Sequence, residues 1–145
     1  MRQSRRSTKP QPKKLTTSQI DHGVPPRKVR TLVGLFRATI DTVGAKRIRL
    51  EFAKAGSPME ADLTHRVVRI NPLDADFFFR SHKTAIAVFA EEIAHIETGE
   101  DTHSYVLWCC FVAYLDKLGI KPKEVLGHAV RRASFSRYCR KHNLV

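Results

Sequence analysis

The sequence predicts a small α+β domain, and three features predict it. One apolar stripe at helical spacing runs from Val29 to Val43, two stretches of alternating polar and apolar residues follow at 46–52 and 66–70, and helical periodicity returns from residue 82 onward. The chain has 145 residues and is 42% hydrophobic, enough for a single domain that buries its own core without disulfides. Its longest apolar run, Tyr105 to Leu115, falls short of the roughly 20 residues that cross a bilayer. The basic N-terminus has no apolar segment behind it, which argues against a secretory signal and for no membrane contact. Cys109, Cys110 and Cys139 form an odd set without zinc-knuckle spacing. They fit small core side chains in a reduced, cytoplasmic compartment.

Residues 1–24 are rich in Arg, Lys, Ser, Thr, Gln and Pro and hold almost nothing to bury, so a basic disordered tail is expected there, with the folded domain spanning 25–145. Pro25-Pro26 suit the first turn of a helix. Val29, Leu32, Val33, Phe36, Ile40 and Val43 form its inner stripe, and Gly44 ends it. The alternation from Lys46 to Phe52 reads as a half-buried strand closed by Gly56-Ser57-Pro58. Arg66 to Ile70 reads as a second strand that stops at Asn71-Pro72. The helix from His82 to Thr98 presents Ile86, Phe89, Ala90, Ile93 and Ala94 as its buried face, and Gly99 supplies the left-handed stop. Asp101 or Thr102 can cap the next helix. That helix, 104–118, is apolar on nearly every side and is expected to be the most buried element. Gly119 ends it, and a last amphipathic helix with a basic side is expected from Glu124 to about Lys141. No internal repeat is present.

Charge is segregated along the chain. Residues 1–50 hold 13 basic and 2 acidic residues, residues 51–100 hold 5 and 9, and residues 101–145 hold 8 and 3, giving +12 over the whole. The basic ends suit a polyanion. Nothing resembles a helix-turn-helix, zinc-finger or RNP signature, so base-specific reading is not indicated.

The acidic middle contains the segment that can carry chemistry, Ala90-Glu91-Glu92-Ile93-Ala94-His95-Ile96-Glu97-Thr98-Gly99-Glu100-Asp101-Thr102-His103. At 3.6 residues per turn, Glu91 and His95 share one helix face, one turn apart, as two metal ligands on one helix must. Glu92 flanks that face. After the Gly99 turn, His103 is expected in the first turn of the next helix, where the helix dipole favours neutral imidazole. Two ligands on one helix, a third beyond a glycine turn and an adjacent free carboxylate are the parts of a mononuclear hydrolytic site. His22, His65, His82, His128 and His142 have no such partner at helical spacing. Trp108 and Phe77-Phe78-Phe79 are expected in the core.

EEIAH at 91–95, with the Thr98-Gly99 turn and His103, resembles the HExxH helix of the zincin metallopeptidases, in particular small bacterial and phage forms of the ImmA/IrrE-like and SprT-like kinds. The likeness covers roughly residues 25–119, and its specific part is 91–103. It implies a small zincin-like domain with an N-terminal helix, a short β-sheet, a motif-bearing helix and C-terminal helices. It also implies a zinc site in which His95 matches the second histidine ligand, His103 the downstream ligand and Glu92 the general base. Glu91 stands where the family has its first histidine, and a carboxylate oxygen can also bind zinc.

The resemblance implies zinc-dependent hydrolysis of a protein or peptide substrate. The alternative is a non-catalytic basic protein that binds nucleic acid, an acidic protein or a phage-type nucleoprotein assembly. It would use an N-terminal arm (Arg2, Arg5, Arg6, Lys9, Lys13, Lys14) and the C-terminal helix (Arg131, Arg132).

Overall fold

The computed structural model describes residues 26–53, 59–71, 81–127, 130 and 132–145. The expected tail at 1–24, the Gly56-Ser57-Pro58 break, the Phe77-Phe78-Phe79 run, His22, His128 and Arg131 lie outside the described residues. The elements are α1 (Pro26–Val43), β1 (Arg49–Phe52), β2 (Met59–Asp62), β3 (Val67–Ile70), α2 (His82–Thr98), α3 (Tyr105–Leu118), α4 (Pro122–Val125) and α5 (Ala133–Lys141). The domain is α+β, as the periodicity predicts. No described helix is long and apolar enough to cross a membrane.

The sheet has the order β1-β3-β2, with β1 parallel and β2 antiparallel to β3. The strand β2 has no counterpart in the sequence pattern. Met-Glu-Ala-Asp is poor strand material on its own, and pairing with β3 makes it one. Arg69 of β3 reaches Asp62 at 3.0 Å and Glu60 at 3.6 Å on β2, and Glu51 at 3.2 Å on β1. One guanidinium thus ties three strands on the sheet's polar face. The backbone N–H of His65 donates to Asp62, and its ring meets the other carboxylate oxygen at 2.9 Å. These contacts, with Arg69, hold the Asp62 carboxyl well below the usual carboxylate range. The buried side of β3 carries Val68 and Ile70, both fully enclosed.

Helix α2 lies at the centre, packed against α1, α3, β2 and β3. Ser81 caps it by accepting from the Thr84 N–H, and Gly99 closes it at φ 72. Ten of its 17 residues are buried, against five of 14 in α3. The expectation that helix 104–118 is the most buried element is therefore corrected. Its composition is apolar all round, but only the side bearing Leu107, Trp108, Phe111, Tyr114 and Leu115 meets other elements. Tyr105, Val106 and Cys109 face outward, so Cys109 is not the core thiol its neighbours suggest.

The last helix is also corrected. Gly127 adopts φ 80, the Val130 N–H donates to the Val125 carbonyl at 2.9 Å, and the chain forms a short α4 and a separate α5 rather than one helix from Glu124. Helix α5 docks through Phe135, whose ring centre lies 4.8 Å from that of Trp108 and 5.2 Å from that of Phe111.

Leu107 and Phe111 are both fully buried, whereas Val106 is 53% exposed. Leu107→Ala or Phe111→Ala should each lower unfolding free energy by about 2–5 kcal/mol. Val106→Ala should stay within about 0.5 kcal/mol of the parent. Urea denaturation of the three variants checks this, and equal losses would mean that the outward face of α3 is covered.

Candidate metal centre

The site is assembled at the C-terminal end of α2 and the turn that follows. One helical turn brings Glu91 and His95 to the same face, and the packing of α2 buries both, leaving them 5% and 6% exposed. The turn is fixed by its own polar groups. The Thr98 hydroxyl donates to the Ala94 carbonyl at 2.7 Å and accepts from the Glu100 N–H at 3.2 Å, while the Gly99 N–H donates to the His95 carbonyl at 3.0 Å. This folds the Glu100 carbonyl back onto the His95 ring, 2.6 Å from Nδ1. A carbonyl only accepts, so Nδ1 carries the proton and Nε2 is turned toward Glu91.

His103 arrives from the other side of the turn. The expected caps, Asp101 and Thr102, are not used. Ser104 caps α3 by accepting from the Leu107 N–H at 3.2 Å. His103 therefore lies just before the helix, not in its first turn, and its orientation comes from its neighbours. Its ring stacks on Trp108 at 5.1 Å and 27° and meets the His95 ring edge-on at 4.8 Å. The Trp108 indole N–H donates to Ser134 at 3.2 Å, which anchors this platform to α5.

The three predicted ligands converge. One ligand atom from each of Glu91, His95 and His103 lies within 4.8 Å of the others. Glu91 Oε2 is the focus, 2.9 Å from His103 Nε2, 3.9 Å from His95 Nε2 and 3.7 Å from Arg132 Nε. With Nδ1 protonated, a neutral His95 points a lone pair at a carboxylate oxygen. That oxygen already accepts from His103 Nε2–H at 2.9 Å and has the Arg132 guanidinium 3.7 Å away, so a cation held by the three side chains would take the place of the His103 proton. One carboxylate oxygen and two imidazole nitrogens are donors that zinc takes, and the residues present fit that ion.

Glu92 sits beside this cluster. Burial pushes its carboxyl well above the usual carboxylate range, the Glu91 charge pushes it further, and Arg132 partly opposes both. Glu92 makes no hydrogen bond among the described residues. Arg132, one of the residues expected to bind nucleic acid, is exposed and has its guanidinium 3.7 Å from Glu91. The other cations of the expected arm (Arg2, Arg5, Arg6, Lys9, Lys13, Lys14) and Arg131 lie outside the described residues. Sequence reasoning missed the Glu100 carbonyl, which as a backbone group leaves no trace in residue identity. It also missed the pairing of Trp108 with Ser134, which lie on different helices.

No protein-family model and no curated protein matches the sequence. Among solved structures, the fold is similar to that of the metallopeptidase zymogen of Pyrococcus abyssi abylysin. The TM-score is 0.50 at 13% identity, with 64% of this chain and 90% of that one covered. At that identity the likeness concerns the fold, and the chain has a metallopeptidase-like one.

Trp108 is the only tryptophan and stacks directly on a candidate ligand. Zinc added to chelator-treated protein should change its emission saturably, and His103→Ala should abolish the change. A response that survives His103→Ala would place zinc elsewhere.

Proposed function

We propose that the chain is a zincin-type metallopeptidase whose zinc is held by Glu91, His95 and His103. The observation that carries this reading is the convergence of those three side chains on two sides of a glycine turn, with a second carboxylate, Glu92, next to them. Zinc in that position supplies the Lewis acidity that makes water nucleophilic near neutral pH. The protein's own groups do the rest. The Glu100 carbonyl fixes the tautomer of His95, so that its Nε2 is free to ligate. Trp108 holds the His103 ring in plane. Glu92, whose side chain has no hydrogen bond among the described residues, would be returned to its ionised form by a cation at the adjacent ligands, and would then accept the proton of the attacking water and pass it to the leaving amine. The substrate class that follows is a protein or peptide.

A carboxylate replaces imidazole at the Glu91 position, which leaves the site more negative than a three-histidine set. Glu91→His should therefore raise zinc content after dialysis and raise peptide hydrolysis with it, since zinc favours nitrogen at such positions. Adding His95→Ala should remove both gains. Glu92→Gln in the Glu91→His background should keep the metal and lose turnover, because only the proton acceptor is gone. Elemental analysis beside a fluorogenic peptide assay measures both quantities. If Glu91→His and the parent are equally free of zinc, the cluster is a self-contained ion-pair network in which Arg132 and the histidines neutralise Glu91.

A further inference from the structure

We propose that the outward face of α1 is a binding surface for the phosphate backbone of nucleic acid, a site separate from the candidate metal centre and independent of its assignment. Several cations on and around the sheet are paired with acids. Arg49 pairs with Glu51, Arg66 with Glu97, Arg69 with Glu51, Glu60 and Asp62, Lys83 with Glu124, and Arg132 with Glu91. Helices α5 and α1 both carry exposed cations without an acidic partner among the described residues: Arg137, Arg140 and Lys141 on α5, and a longer stripe on α1. Arg27, Arg30 and Arg37 are all exposed, and none of them has an acidic partner among the described residues. At 100° per residue the three project within an arc of about 80°, and they span about 15 Å along the axis. The only acid on the helix, Asp41, lies on the same arc one turn beyond Arg37, and no ion pair joins the two among the described residues.

The surface between these arginines is low. Gly34 and Ala38 are exposed there, and a Cβ built at Gly34 meets nothing within 4 Å. A polyanionic strand can therefore lie close to the helix, with guanidinium groups on its phosphates. At its N-terminal end the stripe opens into a cleft of about 200 Å³ between α1 and the start of α2. Arg27, Lys28, Ser81 and His82 are among the residues that line this cleft, and no acidic side chain among the described residues does. The chain enters α1 at Pro26 directly from residues 1–25, which carry Arg2, Arg5, Arg6, Lys9, Lys13 and Lys14. The basic surface of the folded domain and the basic segment before it thus meet at one point.

Acidic proteins are the other polyanions such a face could meet, and the face is unsuited to them. A protein interface has an apolar centre inside a polar rim. The large hydrophobic side chains exposed among the described residues are Tyr105, Val106 and Val145, and none is on α1. A charged stripe without an apolar centre reads charge spacing and not shape, which is what backbone contact requires.

The test is fluorescence anisotropy of the full-length chain with a labelled random-sequence DNA duplex, repeated between about 50 and 200 mM salt. The triple variant Arg27→Gln, Arg30→Gln, Arg37→Gln should bind about tenfold or more weakly at the low-salt end. Its slope of log affinity against log salt should shrink by about two to three, close to one per phosphate contact removed. The matching triple Arg→Lys variant should keep most of the slope, and all three proteins should melt at the same temperature. The proposal is overturned if the parent does not bind DNA. It is equally overturned if the Gln variant keeps the parental affinity and slope, which would leave residues 1–25 as the whole binding element. Polyglutamate bound as tightly as DNA at matched salt would assign the face to acidic proteins instead.

Discussion

Glu91 and His95 sit on a helix enclosed by α1, α3 and the sheet, and a carboxylate and an imidazole placed there must be answered by fixed partners. A buried charge without such partners carries a penalty of several kcal/mol. The domain meets this constraint with groups from three separate places. The Glu100 carbonyl comes from the turn, His103 from the segment before α3, and Arg132 from the residue before α5. Each of these groups has to be delivered to within a few tenths of an ångström. The architecture C-terminal to α2 is consistent with that demand.

The turn between α2 and α3 shows how delivery works. Gly99 takes a left-handed conformation that lets the chain reverse within a few residues. Thr98 then secures both sides of the reversal, and Ser104 restarts a helix immediately after His103. The reversal brings Trp108 behind the His103 ring. Since Trp108 also packs against Phe111 and Phe135, the orientation of a polar site residue is set by the aromatic core that joins α3 to α5. The site is therefore supported by the same contacts that hold the C-terminal helix in place.

Charge is distributed by the same economy of partners. On the polar face of the sheet one guanidinium, Arg69, balances three carboxylates and recruits a strand of weak propensity, Met59–Asp62, into the sheet. Near the candidate metal centre Arg132 offsets part of the negative charge of Glu91 and opposes the upward push on the Glu92 carboxyl. On α1, Arg27, Arg30 and Arg37 have no acidic partner among the described residues and lie on the opposite side of that helix from its buried stripe of Val29, Leu32, Phe36 and Val43. The net charge of +12 is spread over the whole chain, and this stripe is one part of it.

Local rules made much of this legible in the sequence. Helical spacing located α1, α2 and α3, the glycines at 44, 99 and 119 marked their ends, and the one-turn separation of Glu91 and His95 placed both on one face whatever the surroundings. His103 could be named because it follows a glycine turn at short range. Other features depended on residues far apart in the chain. The strand Met59–Asp62 exists because β3 and Arg69 accept it, since its own residues do not favour extended structure. The break at Gly127 became decisive only when Phe135 had to reach Trp108 and Phe111. Arg132 came to lie beside Glu91, and α3 exposed one side, because among the described residues its packing partners lie on the other side. Sequence by itself determined the periodic elements and the candidate ligand types, which follow from backbone geometry over a few residues. Tertiary structure alone decided which faces are covered and which charges meet, because burial and pairing depend on neighbours that the chain order does not specify.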